Sequence, residues 1–214
     1  MTSCRGRAEV TPFTDAEVAE LERLLGVRHA AAGSPLLDEA TTVERIGIIL
    51  SGEVELTHRR RGRREVLQVL RAGETYGDVA LLCALPTLFG ARAASDVRVI
   101  ELDAAHFLAM LDQRPQACRR VLSSVACRLE RTQRRLLTTT ASGLTKQVAA
   151  LLLEEAGSGS GDVALSQGTI ADLLGATRPS VNRVLGAFEE AGHLRRHYRC
   201  VEVLDAEGLA QELR

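Results

Sequence analysis

The sequence predicts an α+β protein built from an N-terminal β jelly roll, a long central helix and a C-terminal winged helix-turn-helix. Three patterns carry this prediction. Short apolar runs broken by glycine turns fill residues 27–102, a coiled-coil-like repeat covers 114–137, and two short helices joined by a glycine turn cover 166–188. We therefore divide the chain into a domain at 1–112, a helix at 113–137, a hinge at 138–143 and a second domain at 144–214.

Composition sets the class of protein. The 214 residues are 45% hydrophobic and 26% charged, which suits one large or two small folded domains. No apolar run approaches the ~20 residues that cross a bilayer, and the N-terminus lacks a signal-peptide core. We therefore expect a cytoplasmic protein with no membrane partner. The cysteines show no paired spacing and are expected to be free thiols: Cys4, Cys83, Cys118, Cys127 and Cys200.

The N-terminal part begins with a helix and continues as strands. Thr14 and Glu17 form a capping box, which predicts a helix near residues 15–25. Glycine turns at 51–53, 61–63 and 72–74 separate apolar or alternating segments at about ten-residue intervals, a spacing typical of a sandwich or jelly roll. The predicted strands are 46–50, 54–58, 65–70 and 97–102.

The central helix carries a narrow apolar seam and a strong positive charge. Asp103 is a plausible N-cap for the helical region that follows, and residues 113–137 contain seven basic and one acidic side chain. A narrow seam with charged flanks predicts pairing with a second copy of the chain. The seam residues are Cys118, Leu122, Val125, Leu129, Thr132 and Leu136. Residues 138–143 contain poor helix formers and end in glycine, so we expect a hinge there.

The helix-turn-helix pattern points to DNA. Gly175 allows a sharp turn, Thr177 can cap the second helix, and apolar residues recur at spacing i, i+3, i+4, i+7 from Val181 to Phe188. Arg can contact guanine and Asn can contact adenine in two places each, while hydroxyl groups suit phosphates. A basic hairpin follows as a wing. The predicted DNA contacts are Ser166, Gln167, Thr177, Arg178, Ser180, Asn182, Arg183, Arg195 and Arg196. The alternative to DNA binding is an ordinary helical hairpin whose polar face is solvated.

With these motifs in place, the chain resembles the cyclic-AMP receptor protein/fumarate-nitrate reductase regulator (CRP/FNR) superfamily over almost its whole length. Gly52-Glu53, the segment Gly73–Leu81, the long helix and the helix-turn-helix carry the likeness. It implies a cyclic-nucleotide-binding-like jelly roll, a dimerisation helix and a winged helix whose arginines Arg178 and Arg183 read bases. Pro179 stands where many members have a base-reading glutamate, so the family's usual operator is not carried over.

The resemblance also places an effector pocket, whose residues would be Tyr76, Gly77, Asp78, Thr87, Leu88, Thr132 and Gln133. Nucleotide-binding members hold the cyclic phosphate with an Arg-Ser or Arg-Thr pair, and Thr87-Leu88 occupies that position here. A buried phosphate without a cation is poorly compensated. We therefore expect no cyclic nucleotide and no other cofactor, unless a shifted loop brings Arg92 to the phosphate.

The sequence thus predicts a homodimeric, sequence-specific DNA-binding transcription regulator without catalytic residues or a metal site. Its operator should be a near-palindrome with half-sites about 10 bp apart, and RNA polymerase is a candidate further partner. Alternatives are a thiol or haem sensor, a dimeric protein-interaction module and a cupin-type metalloenzyme. The scattered histidines argue against haem and cupin chemistry, because the β-domain offers only His29 and His58.

Overall fold

The computed structural model describes residues 11–60, 62–141, 143–157 and 161–213, and these fall into two compact units, 9–129 and 130–214. Cys4, the turn residue Arg61 and residue 142 of the predicted hinge lie outside the described residues. The division falls within the helix that the sequence assigned to 113–137. The predicted domain boundaries stay a prediction.

The first unit contains eight strands among its described residues. They are β1 (Arg28–Ala30), β2 (Pro35–Leu37), β3 (Arg45–Ser51), β4 (Val54–Arg60), β5 (Arg63–Leu70), β6 (Thr75–Tyr76), β7 (Gly90–Ala93) and β8 (Val97–Asp103). Its helices are α1 (Asp15–Leu25), α2 (Asp78–Leu82), α3 (Ala104–Gln113) and the first part of α4 (Pro115–Ala141).

The strands form two antiparallel four-stranded sheets, ordered β1-β8-β3-β6 and β2-β7-β4-β5. One apolar core fills the space between the sheets and includes Ile49, Leu56 and Val99. A second core lies on the other face of the β3–β8 sheet, where Phe107 of α3 and Val121 of α4 pack. This arrangement confirms the predicted β-rich N-terminal fold.

The capping box of α1 and the four predicted strands form as expected, because each depends on residues close together in the chain. Five elements were not predicted from the sequence, and each has five residues or fewer: β1, β2, β6, β7 and α2. Elements this short lack a readable period and are held by pairing with distant strands. Asp103 precedes α3 as predicted but makes no capping hydrogen bond, since its carboxylate pairs with Arg45 instead.

Helix α4 corrects the predicted hinge. It continues to Ala141, so the first four residues assigned to the hinge at 138–143 are helical. Three threonines each cost at most about 0.7 kcal/mol relative to alanine, and extending an existing helix by one residue is cooperative. Gly143 takes the N-cap position of the next helix.

The second unit carries the winged helix-turn-helix fold. After the C-terminal part of α4 come α5 (Leu144–Ala156), β9 (Gly161–Val163), α6 (Gln167–Leu173), α7 (Arg178–Glu190), β10 (Leu194–His197), β11 (Cys200–Val203) and α8 (Ala206–Gln211). The three strands form one antiparallel sheet in the order β10-β11-β9. Leu152 of α5, Ile170 of α6 and Leu185 of α7 are fully buried and form its core.

Candidate functional site

The turn between α6 and α7 is built by local hydrogen bonds. The hydroxyl of Ser166 caps α6 by accepting the Thr169 N–H at 3.0 Å. Gly175 takes a positive φ of 61°, and the Ala176 N–H donates to the carbonyl of Ala171 at 2.9 Å. A residue with a side chain is strained at that φ, which explains why glycine stands at this bend. The two helices are thereby held as a helix-turn-helix.

Helix α7 has one buried and one exposed face at its N-terminal end. Val181, Leu185 and Phe188 are buried. The Thr177 hydroxyl caps the helix by accepting the Ser180 N–H at 3.4 Å. The remaining residues of this helix end that were predicted to contact DNA are exposed or half-buried: Thr177, Arg178, Ser180 and Arg183. The two guanidinium groups and the positive end of the helix dipole make this end positive, which suits phosphate and guanine acceptors.

Asn182 lies differently from its neighbours. Its side-chain oxygen Oδ1 is buried and has no hydrogen-bond partner among the described residues. A two-point contact to adenine needs both the oxygen and the nitrogen of the amide at the base edge. With Oδ1 buried, Asn182 does not offer both amide atoms to a base edge in this conformation.

The Ser166 and Gln167 side chains are half-buried at the start of α6. Since the Ser166 hydroxyl already accepts a hydrogen bond from the backbone, its first role here is structural. Neither residue lies on the exposed face of α7, and their contact with DNA stays a prediction.

The wing is held by carboxylates that the sequence analysis did not single out. Glu189, at the end of α7, accepts the Arg196 N–H at 2.8 Å and the Arg196 Nε–H at 2.7 Å. The backbone hydrogen bond from Arg196 is the main cause that lowers the pKa of Glu189 below its ordinary value of 4.5. Arg195 lies 3.5 Å from Glu202 on the neighbouring strand. Arg196 therefore fixes the wing to α7, a role that residue spacing alone does not reveal.

Helix α4 has one side that is buried against the first unit and an apolar side that is exposed in the single chain. Ala117, Val121, Ser124 and Arg128 are buried in the first unit. The adjacent seam is exposed in the single chain: the side chains of Leu122, Leu129 and Leu136 have relative exposures of 67%, 57% and 60%. Of the other seam residues, Cys118 and Thr132 are exposed and Val125 is half-buried. Large exposed leucines at heptad spacing mark an interaction surface.

Asp78 takes part in a buried ion pair that the sequence analysis missed. Its carboxylate accepts two hydrogen bonds from Arg128 of α4, and one oxygen also accepts the Thr75 hydroxyl at 2.9 Å. Arg128 further donates to the Thr75 carbonyl at 3.0 Å. The signal in the sequence was an arginine at the buried side of α4, in step with Val121 and Ser124. The pair connects the start of α2 to α4.

Other residues of the predicted effector pocket lie elsewhere. The Thr87 side chain is buried, and its hydroxyl donates to the Asp38 carbonyl and accepts the Thr41 N–H. Leu88 is 79% exposed, and Thr132 and Gln133 are exposed on α4. Gly77, with a positive φ of 85°, takes the N-cap position of α2. The role of this predicted set in binding an effector stays a prediction.

The phosphate position of a cyclic nucleotide has no matching cation in this segment. Arg92 pairs with Glu55 across β7 and β4, while Ala91 and Ala93 on either side point into the core between the sheets. Because successive side chains of a strand alternate between faces, Arg92 points away from that core. The described residues 77–93 thus do not fit a buried cyclic phosphate, with or without a shift to Arg92.

A cavity of about 320 Å³ does open in the first unit, beside β2, β3, β6 and β8. Of the predicted effector residues, only Tyr76 lines it. Leu36, Arg45 and Glu101 also contribute to its wall. Sequence reasoning could not find this site, because its residues come together only through pairing of distant strands.

The groups needed by the alternative functions do not cluster. No set of three metal-ligating side chains occurs in the part of the chain that the structure describes. His29 and His58 belong to strands of different sheets, and His58 pairs with Glu39. The described cysteines are free thiols, and Cys83, Cys118 and Cys127 are exposed. No helix within the described ranges is long and apolar enough to cross a membrane.

Comparison with protein families agrees with the two halves of the fold. Residues 27–114 match the family described as cyclic nucleotide-binding domain, and residues 146–212 match the family described as Crp-like helix-turn-helix domain. A match to the first family concerns the fold of the domain and leaves its ligand open, since the residues that would hold the phosphate differ.

Similar proteins span nearly the whole chain. The HTH-type transcriptional regulator Cmr of Mycobacterium tuberculosis is 35% identical over 206 residues, which cover 96% of this chain and 84% of that protein. The CRP-like cAMP-activated global transcriptional regulator of the same organism is 28% identical, with 92% of each chain covered. A CRP/FNR family transcriptional regulator from Thermus thermophilus shares the fold with a TM-score of 0.72 at 23% identity, over 87% of this chain and 97% of its own.

Proposed function

Because the chain belongs to the CRP/FNR family of DNA-binding transcription regulators, we propose that it acts as a homodimer that reads a near-palindromic operator. We propose further that its effector, where one acts, is not a cyclic nucleotide. The protein works in this proposal as a cytoplasmic regulator without catalytic activity, and RNA polymerase is its further partner when it activates transcription.

The exposed N-terminal end of α7 carries the proposal. Arg178 and Arg183 are exposed there, while Val181 and Leu185 fix the helix by burial. The major groove admits one α-helix, and arginine is the side chain that most often reads guanine there. Thr177 and Ser180 lie at the same helix end and suit phosphate oxygens. Pro179 offers no hydrogen bond, so the operator is expected to differ from that of members with glutamate at this position.

The unpacked seam of α4 supports the homodimer. Each chain exposes three leucines at heptad spacing, Leu122, Leu129 and Leu136. Burying a leucine side chain fully contributes about 1.5–3 kcal/mol. A parallel pair of α4 helices would bury both copies of each leucine against the other chain. A two-fold axis along this pair would present two α7 helices to half-sites about 10 bp apart on one face of the duplex.

The first unit supports an effector other than a cyclic phosphate. Thr87 is committed to the backbone at Asp38 and Thr41, and Leu88 is exposed. Arg92 points away from the core between the sheets. A buried phosphate would thus lack the charge-assisted hydrogen bonds that offset its desolvation.

A selection of duplexes from a random library with the full-length chain tests the proposal. We expect one near-palindromic sequence to be enriched and its affinity to fall linearly with salt on logarithmic axes. Arg183→Ala should lose about 1–3 kcal/mol of binding free energy on the selected duplex and blur one base position in a second selection.

The matched control is Arg23→Ala, which removes an exposed arginine from the last turn of α1. This variant should bind the selected duplex as the unmodified protein does. Equal losses of Arg183→Ala on selected and scrambled duplexes would make Arg183 a phosphate contact only. Enrichment of no sequence would contradict sequence-specific DNA binding.

A further inference from the structure

We propose that the cavity beside Tyr76 is a binding site for a small organic cation with an apolar body, such as an aromatic amidine or amine. Binding at this site does not depend on the DNA-binding function, so each can fail without the other. The site differs from the predicted effector pocket, which it shares only at Tyr76.

A buried hydroxyl without a partner is the first observation. The Tyr76 side chain is 3% exposed and lines the cavity, and its Oη atom has no hydrogen-bond partner among the described residues. A buried polar group left unpaired costs about 1–3 kcal/mol, and such groups are rare in folded proteins. A ligand that donates a hydrogen bond to this oxygen would remove that cost.

Gly47 leaves room for the ring of Tyr76. The two residues are paired across β3 and β6, and a side-chain carbon at Gly47 would collide with the Tyr76 ring. The ring therefore lies against the backbone of Gly47, and Tyr76 is one of the residues that line the cavity. An aromatic face attracts a cation that approaches it.

The charges around the cavity favour a cation over an anion. Its wall contains three carboxylates, Asp38, Glu44 and Glu101, and one guanidinium, that of Arg45. Arg45 is already paired with Asp103 at 2.9 Å, and Arg28 pairs with Glu101. Asp38 and Glu44 form no ion pair with any residue in the described ranges, so their negative charges remain uncompensated at the rim. A phosphate or carboxylate ligand would be repelled by them.

The apolar wall requires an apolar body on the ligand. Leu36, Leu37 and Ile46 line the cavity together with the Tyr76 ring. The volume of about 320 Å³ lies at the lower end of the range of small-molecule sites. Burial raises the pKa of the Tyr76 hydroxyl, the charge of Glu101 raises it further and the charge of Arg28 lowers it. The net rise keeps this group neutral, so that it can accept a hydrogen bond from an ammonium or amidinium group.

Titration calorimetry of the full-length protein with three isosteric probes tests the site. Benzamidine carries a cationic group on an apolar ring, benzamide is its neutral counterpart and benzoate is its anionic counterpart. We expect benzamidine to bind with a Kd of about 1 mM or lower, benzamide more weakly and benzoate not at all at about 10 mM.

Tyr76→Phe removes only the hydroxyl and should weaken benzamidine binding about fivefold, the effect of one hydrogen bond. Tyr198→Phe is the matched control, because that tyrosine is 91% exposed on the wing. This variant should bind benzamidine with the affinity of the unmodified protein. Glu44→Gln, at the exposed rim, should also weaken benzamidine binding and gives a second reading if Tyr76→Phe is poorly folded.

Three results would overturn the proposal. They are benzoate binding as tightly as benzamidine, no benzamidine binding at about 10 mM, and unchanged affinity in both Tyr76→Phe and Glu44→Gln.

Discussion

The buried ion pair between Asp78 and Arg128 gives a sharp test of how the first unit is held together. The side chains of the two residues are 4% and 10% exposed, so both charges are removed from water. Arg128→Met would leave the Asp78 carboxylate buried with only the Thr75 hydroxyl as its side-chain hydrogen-bond donor. Removing one partner of a buried pair costs about 3–5 kcal/mol of stability. We expect the free energy of unfolding of the first unit to fall by this amount.

The chain's two tyrosines and lack of tryptophan provide the assay. In a Tyr198→Phe background, the fluorescence of Tyr76 reports on the first unit alone. Urea unfolding is followed at one fixed protein concentration, because dimerisation would couple stability to concentration. The double variant Asp78→Asn, Arg128→Met buries no charge at this position and should recover much of the loss.

Arg98→Met is the matched control for this prediction. It makes the same change in an ion pair of the same unit, Arg98 with Glu22, whose side chains are 45% and 40% exposed. An exposed pair contributes about 0–1 kcal/mol. A loss in Arg128→Met no larger than the loss in Arg98→Met would refute the reasoning, because burial of the Asp78–Arg128 pair would then carry no extra stability.

Two further predictions concern the dimer and the wing. Leu129→Asp should convert the dimer to a monomer in sedimentation, since it places a charge in the apolar seam. Leu24→Asp, at an exposed leucine of α1, should leave the dimer intact. A dimer that survives Leu129→Asp would show that the interface lies elsewhere. The pKa of Glu189 is lowered in the folded protein, so its hydrogen bonds stabilise the wing fully at a pH above 4.5, the ordinary pKa of a glutamate. This stabilisation is lost as the pH falls through the lowered pKa. The protection factor of the Arg196 amide against hydrogen exchange should therefore fall on acidification. Glu189→Gln should remove this pH step, and Glu190→Gln should keep it.

The predictions that the structure bears out rest on residues near one another in the chain. The capping box of α1 involves Thr14 and Glu17, three residues apart. The start of α7 depends on Thr177 and Ser180, and the turn before it on Gly175, with a positive φ of 61°. These signals are local because helix caps and tight turns are closed by hydrogen bonds across a few residues. The helix-turn-helix could therefore be predicted from the sequence.

The contacts of polar residues in the first unit were not predictable in the same way, because they join residues that are far apart in the chain. Thr87 had been assigned to an effector pocket by position, yet its hydroxyl bonds to the backbone of Asp38, 49 residues away. Asp78 had been assigned as a ligand contact, yet Arg128, 50 residues away, occupies its carboxylate. A polar residue in a family motif can serve a ligand or another part of the chain, and its spacing does not distinguish the two.

The sequence by itself determined the longer strands, the caps of α1 and α7 and the positive end of α7, because short-range sterics and hydrogen bonding decide these. Only the tertiary structure decided that Arg128 pairs with Asp78 and that the Tyr76 hydroxyl is left without a partner beside a cavity. Both outcomes depend on which distant groups replace water as hydrogen-bond partners when strands and helices pack. That replacement is settled by the packing of the whole unit and by no single segment of it.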